Sequence, residues 1–129
     1  MFLKKLLRDN RGTSAVEFAL VSPLFFLIIF GIIDLGRAYW IISSMEYAVE
    51  AGGRYAMINS GATGAQIITQ AQNNLYAIDQ NSVTFTASDT TISGTKYTVV
   101  RAQATFYSVP AAIFRGTINL QKQVQVPRL

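Results

Sequence analysis

The chain has 129 residues, half of them hydrophobic and only 14% charged, with eleven Lys/Arg against seven Asp/Glu for a formal charge of +4. That length supports one domain at most, and the charge content falls well below the ~25% of an ordinary water-exposed domain, so part of the chain belongs in lipid. His and Cys are both absent, which excludes disulfides, His- or Cys-ligated metals and His-dependent nucleophilic catalysis; neither a catalytic residue nor a cofactor is expected.

The basicity is concentrated at the start. Residues 1–12 carry Lys4, Lys5, Arg8 and Arg11 against Asp9, a net +3, whereas the remainder nets +1 from seven bases and six acids. The later bases are scattered and lack the interleaved aromatics that stack nucleobases, so no nucleic-acid partner is expected.

An apolar segment follows. Residues 18–33, FALVSPLFFLIIFGII, contain no charge, and adding residues 13–16 gives a stretch broken only by Glu17. Residues 13–33 rise about 31 Å as a helix, matching the ~30 Å hydrocarbon core of a bilayer. The span is predicted over residues 13–38, with Phe18, Pro23, Phe26 and Gly31 inside it. The preceding bases place residues 1–12 in the cytoplasm and the rest beyond the membrane. Tyr39 and Trp40 suit an interfacial belt, and Asp34 and Arg37 are spaced i,i+3 to pair at headgroup level. A removable signal peptide is disfavoured, because the apolar run exceeds the usual 7 to 15 residues and GIIDLGRAY, residues 31–39, offers no Ala-x-Ala site.

Glu17 is the anomaly. An acid inside a membrane helix is costly and points to function, with a partner to be named. Positions 13, 14, 20 and 21, where a helical partner would stand, hold Thr, Ser, Leu and Val. The bland alternative puts Glu17 in the first helical turn, in the headgroup zone, favoured by the helix dipole.

The run from Arg11 to Leu20, RGTSAVEFAL, followed by Pro23 and GIIDLGRAYW, resembles the TadE-like family, pseudopilins of the Tad (type IVc, Flp) pilus system. The resemblance is strong to about Ile58 and looser beyond. It implies that a membrane-embedded aspartic prepilin peptidase cuts after Gly12, leaving Thr13 as the new N-terminus. It also supplies a partner for Glu17: as the fifth mature residue, this acid would neutralise the N-terminal amine of a neighbouring subunit. The implied partners are that peptidase, other pilins and pseudopilins, and membrane lipid, with no small-molecule substrate. Phe18 stands where the shorter major Flp pilins carry Tyr, and the chain is too short for the TadG-like relatives, so a minor pseudopilin of the inner membrane is the implied role. The competing reading is an uncleaved, signal-anchored membrane protein with a small extracytoplasmic binding domain. A small periplasmic hydrolase is disfavoured by the missing His and the lack of clustered carboxylates.

Past the span the helical pattern continues, with Glu50 and Arg54 at i,i+4, so one helix from about Ser14 to Ile58 is expected. Pro23 is expected to kink it without ending it. Ala48, Gly52 and Ala56 form a strip of small residues, assigned to packing of the chain's own C-terminal region in preference to an intersubunit contact. NSGATG, residues 59–64, reads as a loop, and Thr63 with Gln66 predicts a capped amphipathic helix over residues 64–77 whose Ile67, Ala71 and Leu75 share a face. Strands are predicted over residues 83–87, 96–107 and 118–126, with a turn at Ser93-Gly94. Asp79 and Asp89 are read as turn formers in polar loops. Residues 110–116 are an apolar connection that either packs on the core or contacts a partner. The expected fold is α+β and pilin-like: a long N-terminal helix, membrane-embedded in its first half, with a short second helix on a small antiparallel three-stranded sheet. Its expected divisions are a leader over 1–12, the membrane helix over 13–38 and a periplasmic or extracellular domain over 39–129.

Overall fold

The computed structural model describes residues 12–108 and 116–128. The leader up to residue 11, and residues 110–115 of the apolar connection, lie outside the described residues.

Helix α1, Thr13–Ile58, is continuous over 46 residues and runs through Pro23 without interruption. At 1.5 Å per residue it is about 69 Å long. It ends where Asn59 turns away, its backbone N–H and its side-chain Nδ2 both donating to the Tyr55 carbonyl at 3.0 Å. The loop leads to α2, Gly64–Asn73, opened by a capping box: Gln66 N–H donates to Thr63 Oγ1 at 3.4 Å and Thr63 N–H to Gln66 Oε1 at 2.9 Å. This helix is shorter than the expected 64–77. Asn74 caps it, donating from Nδ2 to the Gln70 carbonyl at 2.8 Å, and the chain beyond is held by α1. There the buried Ser44 hydroxyl donates to the Tyr76 carbonyl at 2.9 Å and accepts from the Tyr76 N–H at 3.3 Å. Those two bonds keep Tyr76 out of a helical ladder, yet Leu75 still buries itself beside Ile67 and Ala71.

A short 3-10 turn, Gln80–Ser82, follows, with Asp79 accepting from the Asn81 N–H at 3.0 Å, a turn-forming role that its sequence context predicts. Strands β1 (Val83–Ile92), β2 (Thr95–Tyr107) and β3 (Thr117–Pro127) form an antiparallel meander in the order β1-β2-β3. Ser93 (φ 51°) and Gly94 (φ 82°) make the two-residue turn joining β1 to β2, a conformation that demands positive φ at both positions. β1 continues five residues past its predicted end at Ala87, because Ser88 to Ile92 pair with Val99 to Thr95 although they lack apolar alternation. Asp89 therefore sits in a strand and not in a loop.

The helices cover one face of the sheet, giving the expected α+β layout. Small residues on α1 set the approach: Ala48, Gly52 and Ala56 are buried, and a Cβ on Gly52 would lie 3.2 Å from Ala71 Cβ and 3.3 Å from the Ile67 carbonyl oxygen. The strip thus packs against the chain's own α2 and sheet. Met45, Val49, Ile67 and Val100 are fully buried, each contributing about 1.5–3 kcal/mol of hydrophobic stabilisation. At the edge of this core Lys122 on β3 reaches Glu46 on α1 at 3.0 Å. The opposite face of the sheet is polar, with Gln103 donating to Gln121 at 3.1 Å and Arg101 bonding Gln123 at 3.0 and 3.2 Å.

Candidate functional site: the bare half of the long helix and its junction with the sheet

The first half of α1 carries the residues that the sequence singles out, and the helix spreads them along its axis instead of gathering them. Gly12 precedes the helix without a side-chain cap, Thr13 is its first residue and Glu17 its fifth. The first turn contains no acid, so the reading of Glu17 as a first-turn residue stabilised by the dipole is corrected: the effect fades within that turn. Glu17 is exposed and forms no ion pair with a described residue.

Phe18, Pro23 and Phe26 are exposed, with Phe26 edge-on to Phe25 at 5.7 Å and stacked on Phe30 at 6.4 Å. Of the described helices, α1 is the one long and apolar enough to cross a membrane, and none of its most apolar window is buried. Apolar side chains held out on a helix with no polar stripe among them belong in hydrocarbon or against other apolar helices. The helix is compatible with membrane anchoring.

The junction begins one span-length along. Asp34 is only 5% exposed and receives Arg37 Nη1 at 3.0 Å. The Arg37 guanidinium lies over the Phe106 ring, 5.3 Å from its centroid, tying the end of β2 to the helix. Tyr39 is exposed, and Trp40 is half exposed and packs edge-to-face with Tyr76, ring centroids 5.7 Å apart; Tyr76 also meets Tyr47 with centroids 5.9 Å apart. Gly31 lies half-buried in a groove of 430 Å³ between α1 and the end of the sheet. Asp34 thus shares the junction with Gly31, Arg37 and Trp40, whereas Glu17 is about 25 Å away along the axis.

Three features were not legible as sites. Ser44 looks like any helix serine, and nothing local marks it as the anchor of Tyr76. Phe106 falls on the strand predicted over residues 96–107 and is buried, but its cation contact depends on the helix it packs against. The third is a clip at the far end of the domain, where Asp89 accepts from Thr98 Oγ1 at 2.8 Å and pairs with Lys96 at 3.1 Å and Arg128 at 2.9 Å. Arg128 Nη2 also donates to the Ala62 carbonyl, so this one guanidinium joins β1, the chain end and the loop before α2. The Thr98 hydroxyl holds the Asp89 carboxyl below its usual range, opposed by partial burial and assisted by Lys96 and Arg128. Among the described residues no group of acids is arranged to hold a metal.

Residues 12–54 match the family model described as TadE-like protein. The matched stretch, a third of the chain, covers α1 up to Arg54 with Glu17, the Asp34–Arg37 pair, Ala48 and Gly52, and is similar to that family. No characterised protein and no solved structure matches the chain.

Proposed function

We propose that this chain is a minor pseudopilin of a Tad pilus. It is made as an inner-membrane precursor with its basic leader in the cytoplasm, cut after Gly12 by a prepilin peptidase, and packed through α1 among other pilin-like helices. The observation that carries this reading is the bare apolar half of α1, helically continuous with a folded domain and holding Glu17 as its one ionisable residue between Thr13 and Ile33. The TadE-like match to this same stretch associates it with the pilus system.

The chemistry follows from the cut. Hydrolysis after Gly12 discards the +3 leader and creates an ammonium at Thr13. In low dielectric that cation and the Glu17 carboxylate each carry a large desolvation cost, which falls when they pair between adjacent subunits. The pairing sets the axial offset of one helix against the next. The chain is in this reading a substrate of its peptidase and a structural part, with no chemistry of its own. The alternative, an uncleaved anchor for a small binding domain, keeps the same membrane helix but gives Glu17 no partner.

Co-expression with the cognate prepilin peptidase and intact-mass measurement of the membrane-extracted chain tests the proposal. A mature chain beginning at Thr13 is expected. A chain that keeps residues 1–12 in the presence of active peptidase refutes processing and leaves the anchored-protein reading.

A further inference from the structure

We infer that the membrane-proximal rim of the domain is itself set into the bilayer, and that the groove between α1 and the β2–β3 end of the sheet holds a phospholipid acyl chain. The inference rests on the reading of α1 as a membrane helix and adds the depth at which the sheet lies.

The depth comes from counting along the helix. From Thr13, a hydrocarbon core of ~30 Å is crossed in about twenty residues, ending near Ile33. One wall of the 430 Å³ groove is formed by Ile28, Gly31 and Ile32, which precede that boundary. The other wall is Phe106 and Ile118, from β2 and β3. Asp34, Leu35 and Ala38, which follow the boundary, line the same groove, so the groove straddles the boundary, Phe106 and Ile118 stand at that height, and its lower end opens beside Ile28 into the hydrocarbon. Ile118 supports this: the alternation of β3 marks it as inward-facing, yet it is 51% exposed, lining the groove that the described residues of α1 leave in front of it.

The polar fittings agree. Asp34 lines the groove together with Leu35 and Ala38, and its partner Arg37, whose guanidinium lies over Phe106, keeps a side chain 55% exposed that is able to meet a lipid phosphate while the chain below lies on Gly31 and Ile118. On the far side of α1 the loop residues Ala77 and Ile78 approach Ile33, Gly36 and Trp40 around a second opening, so the domain meets the helix at membrane-surface height from two sides. A neighbouring helix is a poor occupant for the first groove. A helix about 10 Å across fills roughly 420 Å³ per turn, so the space would take about one turn of it, whereas an extended acyl chain enters lengthwise.

The chain has one Trp and no Cys, which permits clean depth measurements on the full chain in proteoliposomes. Trp40→Phe combined with Ile118→Trp moves the single indole to the groove, and Trp40→Phe with Tyr107→Trp moves it to the exposed neighbouring rim should the first variant fold poorly. Lipids brominated on the upper acyl chain are expected to reduce emission from the position-118 variant at least twofold, with aqueous iodide having little effect. Quenching by iodide and not by bromolipid at both rim positions overturns the inference. Trp40→Phe with Phe26→Trp reports membrane insertion separately: if this indole is quenched by bromolipid and the rim indoles are not, α1 spans but the rim is in water. If none is quenched, the membrane reading fails with it. Efficient disulfide formation between copies carrying Ile118→Cys and Ile28→Cys, with bromolipid quenching absent, assigns the groove to a second helix and also overturns the proposal.

Discussion

Gly52 is a position where α1 packs closely on α2, and Gly52→Ala tests whether that approach is rigid. An added methyl would stand 3.2 Å from Ala71 Cβ, 3.3 Å from the Ile67 carbonyl oxygen and 3.4 Å from Val100 Cγ1, inside the 3.5–4.0 Å optimum for carbon contacts. Ala71 has no rotamer to change and the Ile67 oxygen is backbone, so α2 has to move as a unit. Overpacking of this kind costs about 1–3 kcal/mol, offset by up to about 1 kcal/mol from replacing a helical Gly with Ala. The expected net is a loss of about 1 kcal/mol, or roughly 4–8 °C in melting temperature for a domain of this size. Gly53→Ala is the internal comparison, since it gains the same propensity but meets only side-chain methyls, Val124 Cγ1 at 3.0 Å and Val126 Cγ1 at 3.2 Å. Valine can yield by turning about χ1 or with a small shift of its strand edge, so this variant should stay within about 0.5 kcal/mol of the parent. Denaturant unfolding of the full chain in detergent, followed by the fluorescence of Trp40 against Tyr76, measures both. A Gly52→Ala protein as stable as the parent, or more so, refutes the claim that backbone and Ala71 fix the spacing.

Other expected outcomes follow from single contacts. Ser44→Ala removes the partner of both the Tyr76 N–H and its carbonyl; unfolding should show a loss of about 1–3 kcal/mol, accompanied by altered Trp40 emission as Tyr76 shifts. Asp89→Asn should cost about 1.5 kcal/mol by weakening the bonds to Thr98, Lys96 and Arg128. Because the folded carboxyl titrates below its unfolded value of ~3.9, its contribution is present above that pH and disappears as pH falls through the lower folded value; the variant should lose this part of the acid limb in a pH-stability titration. Glu17→Ala should leave peptidase processing measurable by mass but abolish incorporation into assembled pili, and normal incorporation would remove the proposed pairing with the Thr13 amine.

The sequence is most informative where one signal extends over many residues. The uncharged run and the helical pattern after it locate α1 to within a residue, Thr63 with Gln66 places the start of α2, and Ser93-Gly94 marks the hairpin. It is least informative where distant residues set the outcome. The end of α2 depends on Ser44, 32 positions before Tyr76, and the extension of β1 depends on pairing with β2 that its polar side chains do not announce. Asp89 looks like a turn acid because Arg128 lies 39 residues away. At the junction, the i,i+3 spacing foretells the Asp34–Arg37 pair, but the burial of Asp34 and the Phe106 ring beside Arg37 arise only once the sheet folds back along the helix.

The uninterrupted course of α1 from Thr13 to Ile58 has a mechanical meaning. Because the helix is unbroken between its two halves, the direction in which the glutamine-lined sheet face looks is coupled to how the lower half is rotated among its neighbours. Each residue added to or removed from the helix turns that face by about 100° and shifts it by about 1.5 Å. A single insertion between Gly36 and Ala38 would therefore redirect the polar surface to a different flank, keeping the contacts made by α1 after Ala38 but breaking the Asp34–Arg37 spacing and the groove that Ile28 and Gly31 share with Ile118.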